Sequence, residues 1–343
     1  MKKLTIFLAA IVLLTATTIA FSIKFKNETT QINNAVKSTK TVSDQQDNHV
    51  FKSPSIINIG DYVLMGKYYD DPILWRCVDV DENGSLMLSD KILTVKPFDA
   101  AGEQKYTDGT HRPDPGGYSS AYGSCLWETS NIRIWLNSTA VAENIKWPDY
   151  SPTKLSDYIS NWRKEKGFLA EGNFTETERN NIKSVSQKSI LNVVDVYKLS
   201  KGGTEVHKYD KSISNVMQNY DTAYFYNVTD KMFFLDVKQI NRVYQNSSKL
   251  GKDYYIGKPT PKAVANSVYK YSEGNKYSYW TRTPYIEWMY YNHRVRTVSF
   301  DGTVNDAVAE STEIGVRPAF YIKISSETFQ SGNGTEIKPY ITK

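Results

Sequence analysis

An uncharged, mostly apolar run from Leu4 to Phe21 directly follows Met1-Lys2-Lys3. It separates the address of this chain from its folding problem. Two positive charges ahead of such a run are the n-region and h-region of an export signal. Thr18 and Ala20 are small enough for the third and first positions before a signal-peptidase cut at Phe21. The same eighteen residues as a helix would rise about 27 Å, near the ~30 Å hydrocarbon thickness, so an uncleaved anchor fits equally. On either reading Lys2 and Lys3 stay on the cytoplasmic side and the remainder is expected outside, secreted or N-terminally anchored. Residues 4–21, if uncleaved, make the membrane a partner. No Cys follows the run, which argues against a lipid-modified N-terminus.

Residues 22–55 are polar, rich in Asn, Gln, Ser, Thr and Lys, with no sustained apolar period. They read as a disordered stalk with a reach on the order of 30 Å. From Ile56 the composition turns to Trp, Tyr, Val and Ile. The expected organisation is residues 1–21 as signal peptide or anchor, 22–55 as stalk, and 56–343 as a single domain.

Within that domain Ile73–Val80 and Ser85–Ser89 read as a β-hairpin, with Asn83-Gly84 supplying the positive φ angles of its turn. Asp79, Asp81, Asn83, Gly84 and Asp90 also match the spacing of a calcium loop. That loop needs flanking helices, whereas the residues here alternate as strands do. Ser130 caps a helix over 131–136, and Ser151-Pro152 starts another with Leu155, Ile159 and Trp162 on one face and Gly167 as its stop. Thr175 with Glu178 and Asp236 with Gln239 fit capping boxes. Thr260-Pro261 opens a helix through about Tyr269. Strand character returns from Tyr277 to Lys323, with a turn at Asp301-Gly302. The fold class expected is α+β, with mixed or antiparallel sheets, short helices and long loops.

Net charge is +5, and +3 if Lys2 and Lys3 leave with the export segment. With basic residues interspersed among acidic ones, nucleic acid is not an expected partner. Two Cys and four scattered His form no zinc pattern, and neither metal nor cofactor is expected. Cys77 and Cys125 could pair in an oxidising compartment or serve as two small buried hydrophobes. Gly123-Ser124-Cys125 is the nearest approach to a nucleophile elbow but lacks its second Gly, and His111 lies in a loop expected to be exposed.

Four segments concentrate Trp and Arg: Trp75-Arg76; Trp127 and Ser130 through Ile132, Arg133, Trp135, Leu136 and Asn137; Trp280, Arg282, Thr283 and Pro284; and Gly315-Val316-Arg317-Pro318-Ala319. Here the chain resembles a family of exported or surface proteins common in Gram-positive bacteria, a domain of unknown function. Its members carry W-R-V, S-x-I-R-x-W-L-N, W-x-R-[ST]-P and G-V-R-P-A in that order. The resemblance covers about Ile59 to Ile324. Cys77 departs from it, standing where an aliphatic residue is usual, which favours a Cys77–Cys125 bridge as a local invention. The last two motifs are also similar to the end of C-type-lectin-like and formylglycine-generating-enzyme folds. The enzyme's late Cys pair and the lectin tripeptides E-P-N and W-N-D are absent, so neither activity is carried over. Trp75, Arg76, Arg133, Trp135, Asn137, Trp280, Arg282, Pro284, Arg317 and Pro318 are expected to be structural, indoles filling the core and guanidiniums tying loops.

Tyr285-Ile286-Glu287-Trp288-Met289-Tyr290-Tyr291-Asn292-His293 lies between two strands and is expected to be an exposed loop. Tyr285, Glu287, Trp288, Tyr290, Tyr291 and His293 are the candidate ligand-binding residues; a lid folded over the core is the alternative for the same aromatics. The functional expectation is a non-enzymatic recognition domain for a glycan, cell-wall fragment or protein. The competitors are an enzyme whose site is gathered from distant segments and a structural envelope component.

Overall fold

A computed structural model describes residues 51–343 other than 52, 148–150, 153–161, 163, 268–276 and 288. The export segment and the stalk up to residue 50 lie outside these, as do most of the helix expected after Ser151 and Trp288; the helix expected through about Tyr269 instead ends at Asn266, with Ser267 already extended. Phe51–Lys343 forms one compact unit, an α+β fold with mixed sheets and short helices.

Its strands are β1 Tyr62–Tyr68, β2 Asp71–Asp81, β3 Gly84–Ser89, β4 Thr94–Val95, β5 Val185–Ile190, β6 Phe225–Asp230, β7 Tyr279–Pro284, β8 Arg294–Val298, β9 Val304–Val308, β10 Gly315–Val316, β11 Ala319–Tyr321, β12 Phe329–Ser331 and β13 Tyr340–Thr342. One sheet has the order β11-β3-β2-β1-β13-β12, a second β4-β10-β7-β8-β9, and β5 pairs only with β6. Neighbours are antiparallel except β1 with β13 and β10 with β7.

The expected hairpin is β2–β3, with Asp81 opposite Gly84. Of the pair expected at positive φ only Gly84 is found there, at 106°, and the Asp81 carboxylate accepts from the amide of Asn83 at 2.8 Å. Alternation along β2 turns Ile73, Trp75 and Cys77 into the core, as one-sided burial of a strand requires. Trp75 then meets Phe320 of β11 edge-on, 4.8 Å between ring centroids. The turn at Asp301-Gly302 joins β8 to β9, where Val298 faces Val304.

Among the short helices are α1 Tyr118–Tyr122, α2 Asn131–Asn137, α3 Glu176–Asn180, α4 Val196–Leu199, α5 Val237–Gln245, α6 Ser247–Leu250 and α7 Pro261–Asn266. Thr175 and Asp236 complete capping boxes with Glu178 and Gln239 at the starts of α3 and α5. Ser130 caps α2 and Thr260 caps α7.

The Gly315–Ala319 motif is where the chain leaves the second sheet for the first. Gly315 and Val316 belong to β10, Ala319 opens β11, and Pro318 between them has no N–H to leave unpaired. A Cβ at Gly315 would stand 2.6 Å from Ile92 Cγ2, so only glycine fits there. The opposite crossing, from β3 to β4, runs alongside: Ser89 N donates to Pro318 O and Leu93 N to Val316 O. Arg317 fastens the two, donating from Nε to Ser89 O at 3.1 Å and from Nη2 to Asp90 O at 3.2 Å.

Arg133 and Asn137 of α2 dock that helix on the end of β6. Arg133 Nε donates to Asp230 at 2.7 Å, and Asn137 both donates to Met232 O and accepts from the amides of Lys231 and Met232. Trp135, fully buried, packs with Phe168 and Trp162. Trp280, on β7, donates from its indole to Lys96 O at 2.8 Å.

A candidate tyrosine face and the polar groups behind it

The connection from β7 to β8 does not stand away from the body along its whole length. Its two ends turn inward: Tyr285 packs on Tyr209 at 4.5 Å between centroids and its carbonyl accepts from Asn192 Nδ2. Asn292 is fully buried, and His293 is 5 % exposed. The expected exposed loop is thus corrected to a loop anchored at both ends. Only its middle faces solvent, with Glu287 exposed and Tyr290 and Tyr291 exposed to 45 % and 37 %. Trp288 falls outside the described residues.

The anchoring partner is the segment 112–122. Asn292 Nδ2 donates to Asp114 Oδ1 at 3.0 Å, and Asp114 also accepts from the amides of Ser119 and Ser120 and from Ser120 Oγ. Partial burial pushes the Asp114 carboxyl up. The hydrogen bonds from Ser120, Asn292 and the two amides outweigh it and hold the group well below the usual carboxylate range.

This bracing lays α1 against the loop. Tyr118 and Tyr122, four residues apart and therefore on one face of the helix, are exposed to 41 % and 45 %. The His293 imidazole stacks on Tyr118, 5.3 Å between centroids and 17° between planes, and lies 5.4 Å from Tyr122. Tyr290 is 6.3 Å from Tyr118, and Tyr291 is 6.3 Å from His293. Gly116 makes room, since a Cβ there would come within 2.6 Å of Tyr118. Burial, and then the charge of Arg294, lowers the pKa of His293 and so favours its neutral ring.

The result is four half-exposed tyrosines around one buried imidazole. The loop residues were within reach of sequence reading, but Tyr118 and Tyr122 were missed. Their signal was the spacing Tyr-x-x-x-Tyr between Gly117 and Gly123, a single helical turn showing two rings on one side.

Behind the face lies an ion pair. Arg112, 4 % exposed, donates from Nε to Asp195 Oδ1 at 2.6 Å and from Nη2 to Oδ2 at 2.8 Å, while its Nη1 reaches Asn292 O at 3.3 Å. Cys125 Sγ accepts from Arg112 Nη2 at 3.6 Å. Cys77 Sγ, on β2, instead donates to Ile57 O. Of the two readings open for the pair, the structure has the second: both thiols are free and buried, with no bridge between them. Burial pushes each up to about 12. Ser124 is fully buried and His111 is exposed beside Glu103, so these nucleophile and base candidates do not meet.

Two motif arginines share one ring. The guanidinium of Arg76 lies over Tyr62 and over Tyr254, at 4.9 and 4.7 Å; that of Arg317 lies over Tyr254 and over Tyr279, at 4.8 and 5.3 Å. The third, Arg282, donates to Asp236 Oδ2 at 2.8 Å and to Gln239 Oε1 at 2.7 Å; Tyr220 O–H donates to the same Asp236 oxygen at 2.5 Å. Among the described residues no group of three or more His, Cys, Asp or Glu is arranged to hold a metal, and no helix is long and apolar enough to cross a membrane.

A family model described as "Domain of unknown function (DUF6273)" matches residues 83–324. The chain belongs to the DUF6273 family. The matched span ends where the resemblance was expected to end but starts later, leaving Trp75-Arg76 ahead of it. Within this DUF6273 region lie α1, α2, the β7–β8 loop and the β10–β11 crossing. No curated protein and no solved structure matches the chain.

Proposed function

We propose that this DUF6273 domain is a non-catalytic recognition module that binds a glycan through the tyrosine face, on the outer side of the cytoplasmic membrane. The observation that carries the reading is the convergence of Tyr118, Tyr122, Tyr290 and Tyr291, drawn from two distant segments. Tyrosines present a flat π face and a hydroxyl together, at the entropy cost of only two χ angles. Sugar rings offer the matching pair, an apolar C–H face and a rim of hydroxyls. Glu287 and Ser120 are exposed polar residues of the same two segments. The location rests on the charged and apolar order of Met1 to Phe21.

The reading is tested by screening the purified chain against neutral glycans and wall fragments, then repeating the best hit with Tyr122→Ala and Tyr290→Ala. Expected are losses of about 1–2 kcal/mol in binding for each with the melting temperature held. Binding unchanged by both substitutions, or capture of a protein in place of any glycan, would overturn it. Fractionation of cells expressing the chain tests the location, and recovery in cytosol counts against it.

A further inference from the structure

A second cleft, sharing no residue with the tyrosine face, lies between the end of β3 and the segment following α6. It measures about 260 Å³ and is lined by Asp90, Lys91, Lys252, Tyr254 and Lys258, with Gly251 and Gly257 in its wall. That is slightly below the ~300 Å³ at which pockets for drug-sized ligands begin. It suits a head group or a single monomer.

The charge of the cleft is uneven in a particular way. Lys91, Lys252 and Lys258 are exposed, and none of their ammonium groups has a hydrogen-bond or ion-pair partner among the described residues. Beside them, Arg76 and Arg317 donate to main-chain carbonyls: Arg76 to Gly60, Lys249 and Leu250, Arg317 to Ser89, Asp90, Tyr254 and Tyr255. A carbonyl satisfies the geometry of a guanidinium without cancelling its charge. Asp90 and Asp253 oppose these five cations, and the charge of Glu336 also reaches Asp90. Cations remain in excess.

The wall adds space. The Tyr254 ring, which both guanidiniums cover, lines it. A Cβ on Gly251 would meet nothing within 4 Å, so the main chain there faces open room.

We propose that this cleft binds a phosphate group, as an ester of a polymer or of a lipid head group. A carboxylate offers two oxygens in a plane and is matched by an arginine fork. Here the forks are already committed to carbonyls, and the free donors are three ammonium groups on flexible stems. Several such point charges fit the oxygens of a phosphate, which carries more acceptors and more charge than a carboxylate.

The test titrates inorganic phosphate and glycerol 3-phosphate into the full chain by calorimetry. Saturable binding is expected, weakened several-fold between 50 and 300 mM salt as ions screen an exposed site. The combined Lys91→Gln, Lys252→Gln, Lys258→Gln variant should lose about tenfold, roughly 1.4 kcal/mol, with its melting temperature unchanged. Absence of saturable phosphate binding, binding undiminished in the triple variant, or equal competition by acetate each overturns the proposal. The source is read separately: co-sedimentation with phosphatidylglycerol vesicles, lost in the triple variant, identifies a lipid head group. Displacement of phosphate by a soluble glycerol-phosphate oligomer without sedimentation identifies a polymer. Neither readout involves the tyrosines, so failure here is distinct from failure of the glycan reading.

Discussion

The imidazole of His293 lies nearly parallel to the ring of Tyr118, 17° between their planes. One residue closes the β7–β8 loop and the other opens α1, so the stacking joins the two segments of the tyrosine face. Because burial is the largest cause of the depressed His293 pKa, removing the covering ring should hydrate the imidazole. Tyr118→Ala is expected to move the His293 titration upward, toward 6.5, in an NMR titration of the ring protons. An unchanged or lower midpoint would mean that Tyr118 does not shield it.

His207 offers a measurement of stability against pH. It is 2 % exposed, and burial followed by the charge of Arg296 lowers its pKa from 6.5 to about 4. Between those values the unfolded chain binds the proton more tightly than the folded one. Stability is therefore lost as pH falls from 6.5 toward 4, by up to roughly 3 kcal/mol. Denaturant unfolding at pH 7 and at 4.5 should show the drop, and His207→Gln should flatten it. The difference in slope between the two proteins separates His207 from the carboxylates.

With both thiols held near 12, only about one part in ten thousand is thiolate at pH 8. Iodoacetamide should leave the native protein unmodified over hours. In denaturant, without reductant, both cysteines should alkylate. A single mass increment of two carbamidomethyl groups then reports two free thiols, whereas no increment would report a bridge.

What could be read along the chain was whatever is decided within a few residues. The turn of the β2–β3 hairpin needs the positive φ that Gly84 supplies, and Thr175 and Asp236 satisfy amides three residues on. Partners chosen across long separations were not legible. β13 inserts parallel to β1, with Val63 opposite Tyr340, a pairing that no local period encodes. β5 and β6 were missed as a hairpin because a long excursion separates strands that pair in full register. The candidate site failed in the same manner. The loop 285–293 was found by its aromatic density, but which rings would turn inward depended on Tyr209, Asn192 and Asp114, all remote in sequence. The α1 tyrosines became part of it only through that docking.

The pair Arg112–Asp195 lets stability and site geometry be tested together. Both side chains are essentially inaccessible, and two hydrogen bonds of 2.6 and 2.8 Å join them. Tyr106 O–H adds a third to Asp195 at 3.2 Å. Removing one member of such a pair leaves a charge buried without its complement, at a cost of about 3–5 kcal/mol. Asp195→Asn should therefore lower the melting temperature by on the order of 10 °C. An apolar replacement of both members, Arg112→Met with Asp195→Leu, removes the stranded charge and should recover much of that loss. The double variant still lacks the donation from Arg112 to Asn292 O, which fixes the main chain immediately before His293. Its stability should return while the His293 titration, and any ligand affinity of the tyrosine face, stays displaced from the parent value. Recovery of both together would mean that Arg112 supports the body of the domain but does not position the face.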